Sequence, residues 1–124
     1  MSDTLTFRIP WEHLVSDNRK FISRRFILTA QYREAKRAIA LYATVAAKKA
    51  KWKRAEHRLK LEVAVTEPDH RMRDLNFSKA VKDGINESEA VWWDDCQVRW
   101  ELWRFIGEPD KAQAGAEVTI STLD

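Results

Sequence analysis

Leu59-Lys60-Leu61-Glu62-Val63-Ala64-Val65-Thr66 alternates without a break: Leu59, Leu61, Val63 and Val65 take one parity, Lys60, Glu62, Ala64 and Thr66 the other. A period of two turns every second side chain to the same face, so this is a strand with one face in the core. Downstream the chain passes through Pro68 to Asp74, and residues Asn76 to Ile85 read as a helix. Upstream, Thr29 can cap a longer helix in which Tyr32, Ala35, Ile39, Tyr42 and Ala46 share one face and Arg33, Lys36 and Arg37 lie towards the other, running to about Lys51. Leu5, Phe7 and Ile9 alternate into a short first strand that stops at Pro10, and residues 11 to 28 have no clean period and read as a basic loop or ragged hairpin. Residues Gln97 to Ile106 form a strand that is apolar on both sides, with Val98, Trp100 and Leu102 on one and Trp103 and Phe105 on the other. Such a strand is expected to be central or to be covered by a partner subunit. Ala116, Val118 and Ile120 make the last strand. The order is strand, helix, strand, helix, strand, strand, which predicts an α/β (α+β) fold: one small domain over residues 1–124, with a mixed four-stranded sheet and two main helices.

At 124 residues such a domain buries enough surface to need no covalent staples, and its single cysteine, Cys96, excludes an internal disulfide. Without a signal peptide or a long apolar run, the protein is expected to be soluble and cytoplasmic, with no membrane partner. The net charge of +3 hides an asymmetry: residues 1–60 carry 15 Lys and Arg against 5 Asp and Glu, and residues 61–124 carry 7 against 14. Opposed halves of this kind suit a protein that holds a polyanion with one region and cations with another; the alternative is that they neutralise each other in the fold. The basic half contains Arg19, Lys20, Arg24 and Arg25, and then Lys48-Lys49-Ala50-Lys51-Trp52-Lys53-Arg54. That second run meets a helix C-terminal dipole, and five cations around a tryptophan also suit a phosphate backbone.

Acidic chemistry concentrates in Val91-Trp92-Trp93-Asp94-Asp95-Cys96-Gln97-Val98 and in Arg71-Met72-Arg73-Asp74. Adjacent carboxylates repel each other and call for a divalent cation, a basic partner or open solvent. A solvated turn before a strand is the simpler account of Asp94-Asp95, and helix capping is the simpler account of Asp74. Asp74 follows one strand and Asp95 precedes another, so the two carboxylates converge at one sheet edge if those strands are neighbours. Magnesium, bound through one or two carboxylates and keeping several waters, suits such a site and activates water beside a phosphodiester. His13, His57 and His70 lack metal-ligand spacing. Cys96 is expected to be a buried structural thiol. Trp92, Trp93, Trp100 and Trp103 are expected in the core or in an interface, and Trp11 and Trp52, in basic surroundings, are the candidates for stacking on DNA bases.

Phe7-Arg8-Ile9-Pro10-Trp11, Ser16-Asp17-Asn18-Arg19, Arg71-Met72-Arg73-Asp74-Leu75, Lys79-Ala80-Val81-Lys82-Asp83-Gly84-Ile85 and Trp92-Trp93-Asp94-Asp95-Cys96-Gln97-Val98, in this order and at this spacing, resemble the RusA family of Holliday junction resolvases. Members are small homodimeric endonucleases common in prophages. The resemblance implies paired hydrolysis of phosphodiesters in four-way DNA junctions, within DNA recombination and repair, with Mg2+ as cofactor and Mn2+ able to substitute. It implies Asp74 and Asp95 as catalytic metal ligands, with Asn76 and Asp94 as further candidates, and Lys79 as the catalytic lysine. The expected DNA contacts are Arg19, Lys20, Arg24, Arg25, Lys48, Lys49, Lys51, Lys53, Arg71 and Arg73. The chain departs from the family in one place: its central motif, Asp-x-Asp-Asn before a lysine, here reads Asp74-Leu75-Asn76-Phe77-Ser78-Lys79, one residue shorter and with one Asp. The loss implies a junction-binding homologue with reduced or absent cleavage as the alternative to an active enzyme, unless Glu67, Asp69 or Asp94 supplies the missing oxygen.

Overall fold

A computed structural model describes residues 3–17, 21–22 and 27–123. Strand β1 (Thr4–Pro10) buries Leu5, Phe7 and Ile9 and leads into a 3-10 turn, Trp11–His13. The two-residue strands β2 (Phe21–Ile22) and β3 (Ile27–Leu28) then pair antiparallel, which is the ragged hairpin expected there. Helix α1 (Ala30–Ala50) starts on Thr29, whose side chain accepts the Tyr32 amide at 3.1 Å, and ends where Lys51 turns left-handed at φ 55°. Strand β4 (Leu59–Thr66), helix α2 (Ser78–Ser88) and strands β5 (Val98–Phe105) and β6 (Gly115–Thr122) complete the chain.

The main sheet has the order β1-β6-β4-β5. β6 runs antiparallel to both β1 and β4, and β4 and β5 are parallel, so the sheet is mixed. Both helices cover one face. The odd positions of β4 are buried under them, and the core continues through Tyr32, Ile39, Val81, Ile85 and Trp92. The other face is left open.

Parallel neighbours cannot be joined by a tight turn, so β4 and β5 need a crossover, and α2 provides it. The helix leaves from the Thr66 end and delivers the chain to the Val98 end of the same strand pair. At that far end Asn86 ties the arriving segment: its side chain accepts from the Trp92 indole N–H and donates to Asp95 Oδ2 at 3.2 Å. A 3-10 turn, Asp95–Gln97, follows, with Asp94 and Gln97 forming a capping box.

Of the two placements expected for the strand with apolar side chains on both faces, central or covered by a partner, the central one is excluded: β5 is the sheet's edge. Trp100 and Leu102 of β5 project onto the open face and remain 41% and 39% exposed; Trp103 and Phe105 turn towards the helices and are half-buried. Its apolar pattern reflects one face under α2 and one face without cover. Glu101, on the helix side, receives Lys82 Nζ at 2.7 Å. Partial burial works to raise the Glu101 carboxyl, and the hydrogen bonds from Lys82 and Trp103 outweigh it and hold the group below the usual range.

The two helices pack tightly at Gly84, where an added Cβ would fall 2.6 Å from both Cβ and Cγ2 of Ile39. Because Ile39 is fully buried and cannot swing away, Gly84→Ala should force the helices apart despite alanine's better helix propensity. The expected cost is about 1–3 kcal/mol. Urea unfolding at neutral pH measures it, and a variant as stable as the parent would contradict the packing described.

Candidate nuclease site

Asp74 lies four residues before α2 and is exposed. Among the described residues its carboxylate has no hydrogen-bond or ion-pair partner. Capping, the simplest use for an acid at this position, is performed by another residue. Asp17, from the loop after the first 3-10 turn, accepts the Lys79 amide at 3.1 Å on Oδ1 and lies 3.5 Å from the Ser78 hydroxyl on Oδ2. The same loop fixes the segment in front of the helix. The Asp17 amide donates to the Asn76 carbonyl at 2.8 Å, and the Ser16 hydroxyl donates to Asn76 Oδ1 at 3.3 Å. Asp74 is thus held on a rigid approach with its carboxylate left unused.

That carboxylate borders a cavity of about 500 Å³ whose lining includes Glu12, Ser16, Gln31 and Asn76. Carboxylate, amide and hydroxyl oxygens of this kind suit a hard cation such as Mg2+ or Mn2+ and not a soft or nitrogen-preferring metal. No group of three or more Asp, Glu, His or Cys side chains gathers among the described residues. A metal here would rest on one or two carboxylates, Asp74 and Glu12, with water and phosphate filling the remaining positions, which is the usual manner of magnesium. Lys79, the second residue of α2, is exposed, and among the described residues its ammonium has no partner.

Asp95 does not join this group. β4 and β5 are neighbours, as convergence required, but they are parallel, so the end of one lies beside the end of the other and not beside its beginning. Asp74 stands before the first turn of α2; Asp95 is hydrogen-bonded to Asn86 in its last turn. The 11-residue helix separates them by roughly 15 Å at 1.5 Å per residue. Expected convergence within one chain is therefore corrected. Asp94 is placed at the same distant end, where its side chain accepts the Cys96 amide at 2.9 Å. That bond holds the Asp94 carboxyl below its ordinary range.

The other expected oxygen donors are also engaged. Arg73 Nη1 lies 3.2 Å from Glu67, and its Nη2 lies 2.8 Å from Asp69. The Asp69 carboxyl is held low, first by the Arg71 amide and then, against some desolvation, by Arg73. Arg73 was expected on DNA; its side chain is only 19% exposed, and its guanidinium spans these two acids and lies 5.0 Å from the centre of the Trp11 ring. Arg71 is exposed, and among the described residues its guanidinium is unpaired. Lys48, Lys49, Lys51 and Lys53 are exposed at the far end of α1, again without ion-pair partners among the described residues, so neutralisation within the fold does not account for them. They adjoin the Trp92-Asp95 segment, because Trp52 Nε1 donates to the Val91 carbonyl and Arg54 Nε to the Trp92 carbonyl, both at 2.9 Å. Arg19, Lys20, Arg24 and Arg25 lie outside the described residues.

A family model for the RusA endodeoxyribonucleases matches residues 10–121. The chain belongs to the RusA family. Membership implies nuclease activity on branched DNA of the Holliday junction type, and the family's resolvases generally depend on a divalent metal. Against the curated proteins the chain has no match. Among the described residues no helix is long and apolar enough to cross a membrane.

Two further expectations, on Trp52 and Cys96, change, and of the two places expected for Trp93 the core is excluded. Trp52 is half-buried against the core with its indole N–H committed to Val91, which leaves Trp11 as the tryptophan beside the site. Trp93 is 60% exposed beneath the Arg54 guanidinium, 3.7 Å away. Cys96, expected in the core, is exposed, because the 3-10 turn at 95–97 projects it outward while Trp92 fills the buried place. Glu12, and the capping role of Asp17 within the Ser16-Asp17-Asn18-Arg19 stretch, were missed; only contacts spanning some sixty residues reveal their use.

The Asp94 carboxylate beside Cys96 pushes the thiol up, with desolvation adding to it. The thiolate fraction near pH 8 is accordingly small, and iodoacetamide should modify Cys96 more slowly than a free cysteine. Asp94→Asn keeps a capping oxygen and removes the charge, so alkylation should accelerate; a rate unchanged or lower would count against the geometry assigned to this turn.

Proposed function

We propose that this chain is a metal-dependent, structure-selective endonuclease that resolves four-way DNA junctions by paired phosphodiester hydrolysis, acting as a homodimer in the cytoplasm of a bacterial or phage-infected cell. The observation that carries the reading is the unused Asp74 carboxylate on a cavity that Glu12, Ser16, Gln31 and Asn76 help to line, in a chain whose helix cap is supplied elsewhere by Asp17. Asp74 holds Mg2+ or Mn2+, with Glu12 and the Asn76 amide oxygen as neighbouring donors. The metal, when bound, lowers the pKa of a coordinated water and offsets negative charge on the phosphate. Lys79 faces the phosphate and stabilises charge growing on its non-bridging oxygens. In the hydrolysis the water oxygen forms a bond to phosphorus as the bond from phosphorus to one bridging oxygen breaks, and a proton passes to the departing alkoxide.

Asp95 enters from the second copy. What supports this is the geometry of β5, an edge strand whose Trp100 and Leu102 lack cover. Antiparallel pairing of two β5 edges about a two-fold axis brings the Asp95 end of one chain beside the Asp74 end of the other, where a single chain keeps them apart. The arrangement also lays Lys48, Lys49, Lys51 and Lys53 of one copy along the approach to the site of its partner. Two cuts related by symmetry then follow from two sites related by symmetry. The single Asp in 74–76 favours a second reading, a junction-binding homologue that has lost cleavage.

Purified protein incubated with a synthetic four-way junction and Mg2+ or Mn2+ should produce two symmetry-related nicks, and light scattering should give about twice the 14.5 kDa chain mass. Asp74→Asn and Asp95→Asn should each abolish cleavage and preserve binding. Mixed together, the two variants should regain it, since a heterodimer then contains one intact site; failure of the mixture to nick rejects the shared site. Lys79→Ala should slow cleavage about 10²- to 10³-fold with metal affinity retained. Binding without cleavage under every metal condition selects the second reading, and a monomer at micromolar concentration rejects the dimer.

Junction affinity should fall steeply with salt, with a log-log slope of about −0.9 per phosphate neutralised, and replacing Lys48, Lys49, Lys51 and Lys53 with glutamine should flatten it. A slope unchanged by the four substitutions places the DNA surface elsewhere.

A further inference from the structure

β1 is the edge of the sheet opposite β5. The Trp11 amide reaches the Ala114 carbonyl at 3.3 Å, and the Leu123 amide reaches the Arg58 carbonyl at 3.0 Å. With Phe7 opposite Val118 and Leu61 opposite Ile120, both bonds turn the even residues of β6 to β1 and its odd residues to β4. Leu5, Phe7 and Ile9 therefore make the ladder bonds of β1. The amides and carbonyls of Thr6 and Arg8 point away from the sheet, and among the described residues they have no partner. Beside this open edge runs α1, on which Leu41, Val45 and Lys49 form one row at a spacing of four. Leu41 is 61% exposed and Val45 42%, while Tyr42 and Ala46 of the adjoining row are packed against the core. Between the helix and residues 6–8 lies a groove of about 740 Å³ that shares no residue with the Asp74 cavity. No carboxylate lines it. Its two charged residues, Arg8 and Lys49, have no ion-pair partner among the described residues, and Arg8 donates only to the neutral Gln113 carbonyl, at 2.8 Å.

We infer that this groove binds an extended, acidic segment of a partner protein, which adds to β1 as a fifth strand of the sheet. The unpaired groups of Thr6 and Arg8 supply the backbone bonds that strand addition needs, and the helix row supplies an apolar wall for alternate side chains. A period of two then sets the remaining side chains on the open face beside Arg8. Carboxylates suit that place, and Lys49 closes the end of the apolar row with a second cation. A second copy of the chain does not match, because Arg8 is the one charged residue of β1 and a β1–β1 pair brings cation towards cation. Nucleic acid does not match either, since Leu41 and Val45 offer nothing to a phosphate backbone. The inference stands apart from the nuclease reading. Lys49 is among the lysines assigned to DNA, so its test is made without DNA.

Fluorescence anisotropy of labelled octapeptides on the full chain provides that test. A peptide alternating valine with aspartate should bind, and one alternating valine with lysine should bind at least about tenfold more weakly. In the aspartate peptide, N-methylation of the aspartates removes the amides that face β1 in antiparallel addition, and N-methylation of the valines removes those that face it in parallel addition. One of the two methylated peptides should therefore bind about tenfold more weakly than the other. Val45→Gln and Arg8→Gln, both at exposed positions, should each weaken the aspartate peptide with the circular dichroism of the chain unchanged. Equal binding of the two methylated peptides overturns strand addition without recourse to any variant. Equal binding of the lysine peptide overturns the acidic partner, and no binding of any peptide up to about 1 mM overturns the site. A Val45→Gln chain that scatters as a lighter particle than wild type assigns the groove to a second copy and also overturns the inference.

Discussion

The parallel pairing of β4 with β5 governs where Asp74 and Asp95 come to rest. Parallel strands oblige the chain to cross from one end of the sheet to the other, and the 11 residues of α2 make that crossing. Whatever precedes α2 sits at one end and whatever follows it sits at the other. Each end is then secured by a hydrogen-bonded clamp: Asp17, Ser16 and Asn76 before the helix, and Asn86, Trp92 and Asp95 after it. The clamps differ in what they leave over. The first leaves the Asp74 carboxylate free of any role among the described residues, and the second engages Asp95 with an amide that withdraws little of its capacity to accept.

Charge in the fold follows the same division. Ion pairs lie where they stiffen the framework: Lys82 with Glu101 joins the crossover helix to the edge strand, and Arg73 with Glu67 and Asp69 braces the loop that carries Asp74. These pairs are partly exposed and contribute little to stability individually. Their effect is to fix position, which matters more for a site whose metal would depend on one or two carboxylates. The lysines after α1 remain outside this framework and give the far end a positive field available to a polyanion.

Much of the fold was legible because burial imposes a period on the sequence. β1, α1, β4, α2, β5 and β6 all appear within about three residues of their expected bounds, and Thr29 caps α1 as its type suggests. Membership of the RusA family, too, could be read from motifs in order. The relation between elements was less accessible. Alternation in β5 shows that apolar side chains occupy both faces, and it cannot distinguish a central strand from an edge awaiting cover. Strand direction is likewise invisible to periodicity, and direction alone decides whether Asp74 and Asp95 meet. Asp17 shows the same limit: the sequence around it has no clean period, and its function lies at a helix 62 residues away.

The separation of the two acidic ends and the bareness of β5 are best understood together. An edge strand exposing Trp100 and Leu102 is a liability for a solitary chain, since its unpaired backbone and apolar side chains invite association. Charged residues at Arg99, Glu101 and Arg104 limit which associations are tolerated: antiparallel register can set arginine against glutamate, and in-register parallel pairing sets like against like. In the proposed dimer the edge is satisfied by pairing about a two-fold axis, and a two-fold axis exchanges the ends of the strand. What the parallel β4–β5 pair divides within a chain, the proposed antiparallel β5–β5 pair would reunite between chains. In the proposed dimer the nuclease centre is consequently inseparable from the interface, so that neither site is complete until both copies are present.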